Sequence, residues 1–139
     1  MAEQIRKRSQ IPVEDTWAIE DLYPSDEAWQ QELSTLQEDK KTLISFDGKL
    51  GESGACLYNF LFAMEQVDSK CSRLGNYASR RADVDTRDSK YQAMKGEFTG
   101  VVVDIRSATS FDTPEIMAIS EEDMVKAYET YPPLKRYRR

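Results

Sequence analysis

Apolar residues recur along most of this chain at spacings of three and four, which places them on one face of a helix. The clearest run is Leu57, Phe60, Met64, Val67, Cys71, Leu74 and Ala78, alternating three and four throughout. It predicts a long helix, capped by Ser53 after the loop between Gly48 and Gly54, and failing near Ala82. An earlier stripe (Trp29, Leu33, Leu36, Leu43, widened by Ile44) predicts a first helix, interrupted once by Lys40. Pro24 turns the chain into that helix, Ser25 is placed to cap it, and Asp26 and Glu27 suit its positive end. Asp47-Gly48 should end it. A third stripe (Tyr91, Met94, Phe98, Val101, Ile105, Ala108) predicts a helix opening around Asp85 or Thr86. Gly96 and Gly100 weaken that helix by roughly 1 kcal/mol each relative to Ala, so close packing is expected there.

Shorter elements follow. Thr113-Pro114 should restart a helix with Pro at its first position. Ser120 and Asp123 have the spacing of a capping box for a last helix with Met124, Tyr128 and Tyr131, which Pro132-Pro133 stops. Residues up to Tyr23 lack helical periodicity and are expected to form an extended lead-in, with Pro12 keeping Ile11 out of helical geometry. No alternation of period two survives. The expected fold is all-α, an antiparallel bundle of three long helices plus shorter ones, in one domain: lead-in over 1–23, bundle over 24–139.

Composition narrows the function. At 139 residues the chain is long enough for a hydrophobic core. Its net charge of −6 opposes broad nucleic-acid binding, which needs a basic surface. The basic clusters Arg6-Lys7-Arg8 and Lys135 to Arg139 (interrupted by Tyr137) are expected to be solvated tails. No apolar run exceeds Phe60–Met64, too short to span a bilayer, and no secretory apolar region follows the N-terminal basic residues. Two cysteines in such a chain fit a reducing cytoplasm.

Candidate chemistry is sparse. With no histidine, neither a helical HExxH zinc site nor a Ser-His-Asp or Cys-His arrangement can exist. Cys56 and Cys71 fall fifteen residues apart on one expected helix, roughly 22 Å at 1.5 Å per residue, too far for a disulfide or a shared metal. Asp83, Asp85 and Asp88 suggest calcium, but Arg87, Asp88 and Met94 stand where a calcium loop needs an acid or amide, a glycine and a glutamate. They read better as turn and capping residues. Glu121, Glu122 and Asp123 suit the positive end of a helix. No residue qualifies as catalytic, cofactor-binding or metal-ligating.

The order of local signatures adds a resemblance. "IPVEDTWAIEDLYPSDEAW", "FDGKL", "RLGNYASRRADVDTRDSKYQAM", "SATSFDTPEIMAI" and "YPPLKRY" follow one another from Ile11 to the C-terminus. This succession resembles the N-terminal region of oligoendopeptidase F, in the thimet-oligopeptidase-like zinc metallopeptidases. The resemblance implies a largely helical parent, several times longer, that cuts short peptides in a deep channel with an HExxH zinc site far C-terminal of this region. It further implies that this chain lacks the catalytic domain, which becomes its expected partner, and contributes to the wall or lid of the channel. Trp17, Ile19, Leu22 and Tyr23 are then expected to pin the lead-in across the helices. Tyr128 and Tyr131 beside Pro132-Pro133 become the expected apolar contact with the missing domain. The alternative is a free-standing helical module that binds a partner helix in a groove.

Overall fold

The computed structural model describes residues 6–138. Arg139, the last residue of the C-terminal basic cluster, lies outside them. The described residues form five α-helices, α1 (Asp26–Ile44), α2 (Gly54–Val84), α3 (Ser89–Ala108), α4 (Asp112–Ala118) and α5 (Glu121–Thr130), with short 3₁₀ segments and no strand. The fold is all-α, as the periodicity predicts.

The chain groups into two compact units, and the three long helices contribute to both. One unit comprises the chain up to Ser34 together with Ser72–Gly100. Its buried apolar residues are Ile19, Tyr23, Trp29, Leu33, Leu74, Tyr77, Ala78, Ala82 and Met94. Ser25 caps α1 as expected, its Oγ accepting from the Ala28 N–H at 3.1 Å. The lead-in contains three single 3₁₀ turns, Arg8–Gln10, Val13–Asp15 and Ile19–Asp21. The last of these buries Ile19, and Tyr23 follows it into the core.

Trp17 departs from expectation: its side chain is 61% exposed, so it does not pin the lead-in. Trp17 precedes the turn at Ile19–Asp21, and a tight bend at Ala18 (φ −75°, ψ 64°), closed by the Ile19 N–H donating to the Trp17 carbonyl at 2.8 Å, separates it from buried Ile19. Arg80 instead stacks on its indole at 4.5 Å.

Helix α2 runs two residues past Ala82, and α3 opens at Ser89, later than Asp85 or Thr86. The reason is local. Asp85 spends its carboxylate on the backbone N–H and the guanidinium of Arg87, closing a turn, and Asp88 is the residue that caps α3, accepting from the Lys90 N–H at 2.9 Å. Both act as turn and capping residues.

The other unit comprises Thr35–Cys71 and Val101–Arg139. Its buried residues include Leu36, Leu43, Leu50, Leu57, Phe60, Met64, Val67, Ile105, Thr109 and Leu134. Lys40, the break in the first stripe, keeps its stem half-buried and places Nζ 2.7 Å from Asp104. Ser53 caps α2 through the Cys56 N–H, and Ser120 caps α5 through the Asp123 N–H at 3.1 Å. Asp123 returns a different bond from the expected box: its carboxylate accepts the Ser120 hydroxyl. Helix α4 opens at Asp112, so Pro114 falls inside its first turn, where no N–H is needed.

The glycine expectation is also corrected. A Cβ at Gly96 or Gly100 would meet nothing within 4 Å, so no close packing accounts for them. The close approaches are on α2: a Cβ at Gly54 would fall 2.6 Å from the Ala127 carbonyl oxygen, and one at Gly75 would fall 2.8 Å from the Phe98 ring. These contacts generate opposite expectations. Gly96→Ala should raise stability by roughly 0.5–1 kcal/mol through helix propensity alone. Gly54→Ala should lower it, because backbone has to move. Urea denaturation midpoints of the two variants check both signs.

Candidate functional site

In the first unit several polar side chains converge on Asp26. In sequence this residue is simply an acid in the first turn of α1. In the fold its carboxylate accepts hydrogen bonds from the Tyr77 hydroxyl at 2.7 Å, the Tyr91 hydroxyl at 3.2 Å and the Lys90 ammonium. Arg81 stacks on the rings of Tyr77 and Tyr91 and reaches Glu20 at 3.4 Å. Tyr23 meets Tyr77 edge to face with centroids 5.6 Å apart, and Arg73 covers the Tyr23 ring.

This arrangement stabilises charge where it already stands. Partial burial pushes the Asp26 carboxyl upward, but the bonds from Lys90 and Tyr77 outweigh it and hold the group below the ordinary aspartate range. Burial, together with the bond to Asp26, pushes the Tyr77 hydroxyl up to about 12. A carboxylate that already accepts three hydrogen bonds and a phenol that resists ionisation are poor at moving protons near neutrality. The cluster fixes structure.

The second unit shows the same use of carboxylates. Glu65 accepts from the Tyr137 hydroxyl at 2.6 Å and pairs with Arg136, beside a ring cluster of Tyr58, Phe62, Tyr131 and Tyr137. Burial first, then the bond to Glu65, pushes Tyr137 up to about 12. Glu115 clamps the loop after α1, taking the Gly48 and Leu50 N–H groups on its two oxygens. Those backbone bonds hold its carboxyl low. Gly48 itself sits at φ 77°, a left-handed turn that a side chain would strain.

The sequence candidates fall as follows. Cys56 and Cys71 are free and half-buried, and burial pushes both thiols up, away from reactivity. Asp83 is exposed, and Glu121, Glu122 and Asp123 occupy the first turn of α5. Tyr128 and Tyr131 are half-buried, and the large apolar side chain that α5 exposes is Val125. Among the described residues no group of three or more His, Cys, Asp or Glu is placed to hold a metal. Sequence reasoning missed the Asp26 cluster because its partners lie 51 to 65 residues away, beyond any local pattern.

Two clefts remain. One, about 230 Å³, lies between the Leu50–Gly54 loop and α5, lined by Asp123, Lys126 and Thr130 among others. The other, about 300 Å³, lies beside Trp17 and Arg80 in the first unit. Neither gathers a nucleophile, a base and an oxyanion donor.

Fold and side chains thus define an all-α chain whose described carboxylate clusters are structural. Comparison with known proteins names its relatives. It is 37% identical over 123 residues to oligopeptidase PepF of Bacillus subtilis, a match covering 88% of this chain and 18% of that one. It is 29% identical over 135 residues to the chromosomal oligoendopeptidase F of Lactococcus lactis subsp. cremoris, covering 96% of this chain and 22% of the relative. The crystal structure of oligoendopeptidase-F from Enterococcus faecium matches the fold with a TM-score of 0.73 at 24% identity, over 82% of this chain and 22% of that chain. No family model matches. The chain is therefore homologous to oligoendopeptidase F over most of its own length, and spans about a fifth of the curated relatives it matches.

The Asp26 cluster sets a pH dependence. A carboxyl held below its unfolded value contributes stability that is present above that value, near 3.9, and is lost as pH falls through the folded one. Urea midpoints should therefore drop on acidification below about pH 4, and Asp26→Asn should both lower the neutral midpoint and flatten that limb. Tyr77→Phe should cost about 1–2 kcal/mol at pH 7.

Proposed function

We propose that this chain is the N-terminal, non-catalytic helical region of a zinc metalloendopeptidase of the oligoendopeptidase F type. In the longer polypeptide it forms part of the wall or lid of the channel that admits short peptides, and it limits substrates by size. The observation that carries this reading is the 37% identity to a peptidase of which the matched region is 18%. The helical fold shared with the Enterococcus faecium enzyme supports it.

The donor set of this chain does not fit a catalytic zinc. Such a site takes three protein ligands from His, Cys and carboxylates and leaves one position for water. The chain has no histidine, its cysteines are separated along α2, and Asp26, Glu65 and Glu115 are engaged by hydrogen-bond donors. No step of the reaction is assigned to these residues; the zinc ligands belong to the remainder of the polypeptide. A cytoplasmic setting completes the proposal, supported by two free thiols. No helix among the described residues is long and apolar enough to cross a membrane.

The exposed Trp17 also suits a free-standing interaction module, and the reading frame separates the two. A frame encoding an HExxH helix downstream of Arg139 supports the peptidase; a stop at that point supports the module. In solution, residues 1–139 incubated with zinc and a quenched fluorescent peptide should give background hydrolysis only. Turnover that survives repurification and disappears with a chelator would overturn the non-catalytic assignment.

A further inference from the structure

Trp17 is the largest exposed apolar side chain of the first unit, and it does not stand alone. It lines its cleft with Ile11 and Val84, and Val13, 84% exposed, lines an adjoining cleft that shares Ile11. Exposed apolar groups clustered on one face mark a contact surface more often than the same groups scattered singly.

The polar side of the cleft is as specific. Arg80 holds its guanidinium carbon over the indole, 4.5 Å from the ring centroid, and Arg6 lines the same cleft. Among the described residues neither arginine has a carboxylate partner, although Asp15 and Asp83 line the cleft as well. Arg8, which lines the cleft too, pairs with Glu20, as Arg81 also does, while Arg87, Arg106 and Arg136 pair with other acids. A guanidinium stacked on an aromatic face keeps its planar fork of donors free at the edge, the geometry that accepts a carboxylate with two bonds. The complement of this corner is a carboxylate next to an apolar side chain.

We infer that the Trp17–Arg80 corner docks against the remainder of the polypeptide, on a surface bearing an acid beside an apolar residue. The inference rests on the reading above, in which a peptidase body follows this region. About four fifths of the relatives' length lies outside the matched segment, so an occupant of ample size is available. Docking there withdraws from water the one tryptophan that the isolated fold leaves outside.

The test is hydroxyl-radical footprinting with peptide-level mass spectrometry, on residues 1–139 and on the continuous polypeptide. Buried Trp29 serves as the internal reference. Trp17 should be oxidised readily in residues 1–139 and be protected several-fold in the continuous polypeptide, with Arg80→Glu restoring its reactivity there. A polypeptide that cleaves peptides while Trp17 stays equally reactive overturns the inference and leaves the functional reading standing. A reading frame that ends at Arg139 overturns both. Protection that survives Arg80→Glu removes the carboxylate from the account. Protection of residues 1–139 alone that grows with concentration assigns the surface to a second copy and overturns the inference.

Discussion

Trp29 is wholly buried, and its indole N–H donates to the Leu74 carbonyl of α2 at 2.9 Å. That carbonyl has a second lone pair beyond its helical bond, so the interaction joins α1 to α2 without breaking either. The indole stacks on Tyr77 with ring planes 25° apart, and the Tyr77 hydroxyl returns to Asp26, one turn before Trp29 on α1. Each member makes the next tolerable. The phenol can be buried because Asp26 accepts its hydrogen bond, and Asp26 can leave water because Lys90 and Tyr91 also donate to it. Removing a large buried aromatic costs about 3–5 kcal/mol, against a total stability of about 5–15 kcal/mol for a domain.

In the second unit rings and carboxylates divide the work. Phe60 sits between Phe46 and Phe111, with centroids 5.7 and 5.6 Å away, so the turn after α1 and the approach to α4 share one aromatic contact. Glu115 holds the loop from below by its backbone, while Glu65 secures the C-terminal segment through Tyr137 and Arg136. Carboxylates committed in this way act as fixed acceptors.

Helix existence was legible because burial imposes the three–four spacing directly: Leu57, Phe60, Met64, Val67, Leu74 and Ala78 are all buried, with Cys71 half-buried among them. Caps at Ser25, Ser53 and Ser120 were legible because they depend on a neighbour three residues away. Starts in a run of acids were not, since Asp85 and Asp88 are equivalent in sequence and only Arg87 decides which closes the turn. Trp17 misled because size alone suggests burial, whereas the buried residues are Ile19, in the 3₁₀ turn, and Tyr23 after it. Gly75 and Gly54 were unreadable as contact points, because their neighbours Phe98 and Ala127 are distant in sequence. The Asp26 cluster failed for the same reason.

The two tryptophans have opposite environments, Trp29 holding the fold and Trp17 facing outward. Hydrogen exchange of their indole N–H protons, followed by NMR on residues 1–139, tests this directly. The Trp29 indole proton should exchange as slowly as the most protected backbone amides, through global unfolding alone, while that of Trp17 should exchange within the dead time. Equal, rapid exchange of both would show that the Trp29–Leu74 bond does not hold the helices together, and the account would fail at its base.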